Sequence, residues 1–219
     1  GEEEKKKAPV VVSYWTMGDV LVHAAQSGNC EAVDALMTSG SVHKLAIMRT
    51  AYRAAVVHNQ PGVVARLLED KRVDVKLNNY GLFLHAAKND FDRVVAAIMD
   101  ARDVSAAVSV ALQCTISSSA TRSFRLFIET DAVEPSADRN NAAHWAMRNR
   151  LTTELLAIIN HPKFVINDRF INLMIREDVE KEYIGYLQQA RDGDFPVRPH
   201  GFVLTPAARK GLYDAVMHR

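Results

Sequence analysis

Apolar and small residues recur along this chain at the spacing that short paired helices require. The run HAAKNDFDRVVAAIM begins with small residues up to Ala87, and Asp90 follows three positions later. Val95 lies eight positions after Ala87, and Ile98 lies eleven positions after it. Residues three or four apart share one face of a helix. The run therefore predicts a short first helix, a turn at Asp90 and an amphipathic second helix.

The same spacing recurs along the chain, which predicts a repeat array. Six anchor residues equivalent to Ala87 are separated by 28 to 31 residues: Ala25, Val56, Ala87, Ile116, Met147 and Ile175. Turn-tolerant residues lie three positions after the first three anchors, namely Gly28, Asn59 and Asp90. An apolar residue follows the second helix in the first five units: Val42, Val73, Val104, Val133 and Phe164; the sixth unit has Asp192 there. No unit can bury its apolar face alone, so stacked neighbours must supply the core.

The units resemble the ankyrin repeat. NAAHWAM, residues 141–147, matches the Thr-Pro-Leu-His-x-Ala-Ala segment of that family, with His144 at the histidine position. EAVDALM and RVVAAIM match its second helix, and residues 69–75, EDKRVDV, match a subtype with a Val-Asp-Pro-like linker. The resemblance covers residues 17–187. It implies an all-α ankyrin-like solenoid of about six units, with loops trimmed because the units fall short of about 33 residues.

The resemblance also implies where a partner protein binds, since ankyrin-like arrays use their loop tips and the surface of their first helices. Repeat position alone therefore selects the polar pairs after two anchors and two loop groups as partner-binding candidates. They are Lys88, Asn89, Arg148 and Asn149, together with Asn78, Asn79, Tyr80, Arg139 and Asn140. It implies as well that His23, His85 and His144 support hydrogen bonds between repeats and do not bind a metal.

Three parts are predicted along the chain. Residues 1–16 form a charged N-terminal extension, residues 17–188 form the array, and residues 189–219 form an irregular linker followed by a helix. Thr205-Pro206 is a typical helix start for that last segment. Two interpretations of the final helix remain open: a cap on the exposed end of the array, or a helix that docks in a groove of a partner.

Composition limits the classes of partner. Lys and Arg number 27 against 26 Asp and Glu, which disfavours nucleic acid as the main partner. No apolar run approaches the roughly 20 residues that span a bilayer. Two distant cysteines, Cys30 and Cys114, argue against a disulfide framework and favour a reducing intracellular compartment. The first residue is Gly1, so the expected location is cytoplasmic, or mitochondrial if a presequence has been removed.

The sequence contains no recognisable catalytic motif. H-E-x-x-H, a Gly-rich phosphate loop, G-x-S-x-G and C-x-x-C are all absent, and neither a cofactor nor a metal ion is expected. These observations predict a non-catalytic protein–protein interaction scaffold, an accessory structural subunit of a larger multiprotein complex. A soluble adaptor that binds one target reversibly is the alternative. An enzyme on a helical array scaffold is a remote alternative, which a deep pocket with histidine and carboxylate groups would favour.

Overall fold

The computed structural model describes residues 16–40, 44–149 and 151–165, together with Asn172. In these ranges the chain is all-helical and contains no β-strand, as predicted. The helices described are α1 (Met17–Ser27), α2 (Cys30–Thr38), α3 (Leu45–Val57), α4 (Pro61–Leu68), α5 (Leu77–Lys88), α6 (Asp92–Ala101), α7 (Ser105–Ser118), α8 (Thr121–Ile128), α9 (Ala137–Arg148) and α10 (Thr152–Asn160).

Consecutive helices pack in pairs, and the pairs pack side by side. Each odd-numbered helix contacts the next odd-numbered helix, and each even-numbered helix contacts the next even-numbered one. The result is two rows, which we call the odd-helix row (α1, α3, α5, α7, α9) and the even-helix row (α2, α4, α6, α8, α10). The five pairs fall at the first five predicted units. The sixth predicted unit, the C-terminal segment 189–219 and residues 1–15 lie outside the described residues.

The turn inside each of the first four pairs contains a left-handed residue at the same position. Gly28, Asn59, Asp90 and Ser119 each lie three residues after an anchor, and all four have a positive φ, between 54° and 76°. The asparagine and aspartate side chains tolerate this left-handed conformation, and glycine adopts it without steric cost. At Gly28 an added Cβ would meet the end of the Gln60 side chain, which would have to move, so the positive φ is the main reason for glycine there.

Helix starts are stabilised by local residues at several places. Thr16 and Asp19 form a capping box at α1, in which the N–H of Asp19 donates to Oγ1 of Thr16 and the N–H of Thr16 donates to Oδ2 of Asp19, at 2.8 Å. The hydroxyl and the N–H of Thr16 both donate to the carboxylate of Asp19, and these two hydrogen bonds lower its pKa. Asn29 caps α2 by accepting the N–H of Ala32, and Pro61 is the first residue of α4.

The core lies between the two rows. The anchors of the five described units are buried, and so is the residue eight positions after each of them: Val33, Val64, Val95, Phe124 and Leu155. The predicted apolar loop residues Val73, Val104, Val133 and Phe164 are buried as well, whereas Val42 lies outside the described residues. Phe83 and Phe127 meet edge to face, with ring centroids 5.7 Å apart, and join the third pair to the fourth.

Polar contacts join neighbouring pairs at a constant spacing in sequence. Four donors reach oxygen atoms of a residue 32 positions earlier: Arg66 to Asp34, Arg102 to the carbonyl of Asp70, Arg122 to Asp90, and Lys163 to the carbonyl of Asp131. These contacts arise at different places within the pairs, and each of them joins one helical pair to the next.

Candidate functional site

Exposed apolar side chains concentrate on the odd-helix row. Seven large hydrophobic residues are exposed among the described residues, and six of them belong to odd-numbered helices: Met17, Val20, Val57, Leu77, Val110 and Trp145. The seventh, Val165, follows α10. The even-helix row, by contrast, turns its large apolar residues inward. This asymmetry makes the solvent face of the odd-helix row the candidate interaction surface.

A cleft opens in this row between α3 and α5. Its volume is about 660 Å³, and the segment that precedes α5 contributes to its lining. Val57, Leu77 and Leu82 supply apolar walls, while Arg49 and Arg53 lie one turn apart along α3. We call this feature the α3–α5 cleft. Among the predicted partner-binding residues, Asn78 lines it.

The start of α5 has an unusual backbone that shapes one side of the cleft. Asn78, Asn79 and Tyr80 all have a positive φ, between 52° and 61°. Asparagine tolerates this region, but a bulky residue such as Tyr80 adopts it at a cost of about 1–2 kcal/mol. These three residues were expected in a loop, and the structure places them in this left-handed turn instead. Of these three residues, Asn78 lines the cleft.

The charged and polar side chains that line the α3–α5 cleft differ in their contacts with other groups of the chain. The carboxylate of Asp74 accepts the N–H of Lys76 at 2.9 Å. The ring of His85 meets that of Phe91 edge to face, with centroids 6.2 Å apart. Tyr52 forms part of the lining but is 3% exposed, and its burial raises the pKa of its hydroxyl. Asp74 and His85 are thus each held by their own segment of chain.

The predicted histidine contacts can be checked at His85. Nδ1 of this ring lies 3.5 Å from Nδ2 of Asn89, in the same helical pair as the Phe91 ring contact. The contacts seen for His85 therefore stay inside one unit, whereas the ankyrin resemblance implied hydrogen bonds between units. In the described part of the chain, no group of three or more His, Cys, Asp or Glu side chains is placed to hold a metal ion.

The other predicted partner-binding residues occupy varied positions. Lys88, Asn89, Arg148 and Asn149 are exposed at the ends of α5 and α9. The amide of Asn89 donates to the carbonyl of His85, and that of Asn149 donates to the carbonyl of Trp145, each at 2.8 Å. Both asparagines therefore satisfy the last carbonyl groups of their own helices.

Asn140 differs from the exposed position expected of a partner-binding residue. It is 1% exposed, and its amide donates to the carbonyl of Val165 at 2.8 Å. Its φ of 64° places it in a left-handed turn at the start of α9, like the turn at the start of α5. The side chain of Arg139 lies outside the described residues. Asn140 is thus a structural residue that connects α9 to the segment after α10.

Sequence reasoning did not find the α3–α5 cleft itself. Arg49 and Arg53 are four residues apart on α3, a spacing that is ordinary for a solvated helix face. The one signal in the sequence is that the second unit has arginine at two positions where the other described units have a small or neutral side chain. This comparison requires the register of the units to be known. Both cysteines, Cys30 and Cys114, are free, as expected.

Comparisons of the chain with known protein families, with curated proteins and with solved structures found no match. Within the described ranges, none of the helices combines the length and the apolar character that crossing a bilayer demands.

Proposed function

We propose that this chain is an ankyrin-like solenoid that acts as a non-catalytic protein–protein interaction scaffold, an accessory structural subunit of a larger multiprotein assembly. The observation that carries the proposal is the distribution of exposed apolar side chains. They extend from Met17 on α1 to Trp145 on α9, along the whole described odd-helix row. Exposed apolar residues on five neighbouring helices suit an extended, lasting contact better than a small transient one.

The ankyrin-like part of the proposal is supported by the arrangement of the helices. Five helical pairs stack in two rows, the turns of the first four share a left-handed residue at the same position, and several contacts between pairs join residues 32 positions apart. The main contacts among the described helices join neighbouring pairs, which is the organisation of a repeat array. The resemblance of NAAHWAM and RVVAAIM to the family's helices adds the sequence-level support.

A reversible adaptor is the second candidate, and the α3–α5 cleft favours it. A single cleft of about 660 Å³ with its own charged groups is the size of a site for a short segment of one target. We rank it second because the exposed apolar residues reach well beyond the cleft.

The role is proposed as non-catalytic although the α3–α5 cleft brings a histidine and a carboxylate together. His85 packs on Phe91, and Asp74 accepts a backbone N–H from its own loop. Nucleophilic or acid–base catalysis needs a base that is oriented toward a reacting group, and these two side chains are oriented by structural contacts. Two free cysteines support a reducing compartment for the scaffold.

The proposal is tested by purifying the natural protein, untagged and at its endogenous level, and measuring its size and its co-purifying partners. We expect the 24.4-kDa chain to migrate in one large complex with partners in stoichiometric amounts. A variant with glutamine at three exposed positions of the odd-helix row, Leu77→Gln, Val110→Gln and Trp145→Gln, should remain folded and leave the complex. Glutamine is a good helix former, so the helices themselves are preserved.

Ala65→Gln is the matched control, because Ala65 is exposed on α4 in the even-helix row. This variant should stay in the complex. Migration of the wild-type chain near the size of a monomer would contradict a permanent subunit and favour the adaptor. Loss of the control from the complex would contradict the assignment of the odd-helix row as the contact surface.

A further inference from the structure

The α3–α5 cleft carries positive charge that the described residues leave unpaired. Arg49 and Arg53 are both exposed, and within the described ranges neither forms an ion pair. Some other arginines are paired: Arg66 with Asp34 and Glu69, and Arg122 with Asp90 and Asp92. Two neighbouring guanidinium groups without an ion-pair partner are complementary to an acidic ligand, because arginine binds carboxylates through paired hydrogen bonds.

Apolar side chains adjoin this charge. Val57 is 40% exposed and Leu77 is 47% exposed, and both line the cleft with Leu82. A ligand that covers them gains the free energy of burying apolar surface, about 25 cal/mol for each Å². The cleft therefore combines an apolar pocket with a pair of cations at its α3 wall.

The equivalent cleft between α1 and α3 has a different character. It encloses about 230 Å³, and its described lining includes Asp19 and Ile47 but no arginine. The paired arginines thus distinguish the α3–α5 cleft from the described part of the α1–α3 cleft. Packing requirements are shared by all units, so a difference between two units is not required by the repeat and is typical of recognition.

We infer that the α3–α5 cleft binds a short segment of a partner protein in which an acidic residue neighbours a bulky apolar residue. The carboxylate pairs with Arg49 and Arg53, and the apolar side chain lies against Val57 and Leu77. The exposed apolar walls and the carboxylate of Asp74 make the site unsuited to a polyanion such as nucleic acid, which needs a continuous basic surface. This inference rests on the proposed interaction role and adds the chemistry of the segment recognised.

The test is selection of a displayed library of random twelve-residue peptides on the full chain, followed by affinity measurement with the enriched peptides. We expect enrichment of peptides with Asp or Glu close to Leu, Ile, Phe or Trp. The double variant Arg49→Gln and Arg53→Gln should bind these peptides at least about tenfold more weakly, since hydrogen bonds to charged groups are among the strongest. Leu77→Ser should remove the preference for the apolar residue and keep that for the acidic one.

Arg93→Gln with Arg125→Gln is the matched control, because it removes the same charge from exposed positions of α6 and α8. Its affinity for the peptides should equal that of the wild-type chain. Enrichment without acidic residues, equal weakening by the control, or no enrichment at all would overturn the inference. None of these results decides whether the protein resides in a large complex, so failure here is distinguishable from failure of the proposed function.

Discussion

The contact between Asp90 and the start of α8 gives a sharp test of how neighbouring pairs are joined. Asp90 occupies the turn between α5 and α6, and its carboxylate accepts the N–H of Ser123 at 2.8 Å. It also pairs with Arg122 at 3.0 Å. Asp90 thus satisfies a free N–H group of a helix that begins 31 residues later in the chain.

Three substitutions separate the contributions of Asp90. Asp90→Asn keeps an acceptor and tolerates the φ of 58° but loses the charge, which should cost about 0.5–1 kcal/mol. Asp90→Gly removes the cap without steric strain and should cost about 1 kcal/mol. Asp90→Ala removes the cap and also forces alanine into the left-handed region, so the total should be about 2–3 kcal/mol.

The assay is urea unfolding followed by circular dichroism at pH 7. Asp92→Asn is the control, because Asp92 lies 3.5 Å from the guanidinium of Arg122 without capping α8, and its removal should change stability by less than about 0.5 kcal/mol. A stability of Asp90→Ala equal to that of the wild type would refute the cap. An Asp90→Gly protein less stable than Asp90→Ala would refute the contribution of backbone strain.

The effect of Asp90 should depend on pH. Burial alone would raise the pKa of this carboxyl, but the hydrogen bond from Ser123 and the charge of Arg122 outweigh it and lower the pKa. A lowered pKa in the folded state stabilises the fold above the pKa of the unfolded chain, about 3.9, and the stabilisation is lost as pH falls further. The difference between wild type and Asp90→Asn should therefore be full at pH 7 and shrink below about pH 4.

Two further predictions concern packing and acid sensitivity. Ala86 is fully buried, so Ala86→Leu should overpack the core and lower the free energy of unfolding in urea by about 1–3 kcal/mol. Ala106→Leu is the control, because Ala106 is exposed on α7, and it should change stability little. An unchanged stability of Ala86→Leu would mean that the repeat register is wrong. Burial, aided by Lys163, lowers the pKa of His161, whose Nδ1 accepts the N–H of Lys163 at 3.2 Å. The fold should therefore lose stability as pH falls below about 6.5. The variant His161→Asn keeps an acceptor and should lose less stability over the same range. Identical pH profiles of the two proteins would contradict the role of His161.

The sequence by itself determined the pairing of helices and the position of their turns. The buried anchors, the left-handed residues Gly28, Asn59 and Asp90, and the buried loop residues such as Val133 all follow from spacings within one unit. Such spacings are readable because a helix places residues three and four apart on one face. The sequence also identified the odd-numbered helices as candidate binding elements, through the family resemblance.

Only the tertiary structure determined where a candidate binding cleft lies on the surface. The α3–α5 cleft depends on the distance between two helices and on the left-handed turn at Asn78, and neither is encoded in a local period. The same reason explains Asn140, which the repeat position suggested for a partner but which is buried against the segment after α10. Local periodicity fixes which face of a helix is buried, whereas the width of a groove and the burial of a single polar residue depend on neighbours distant in the chain.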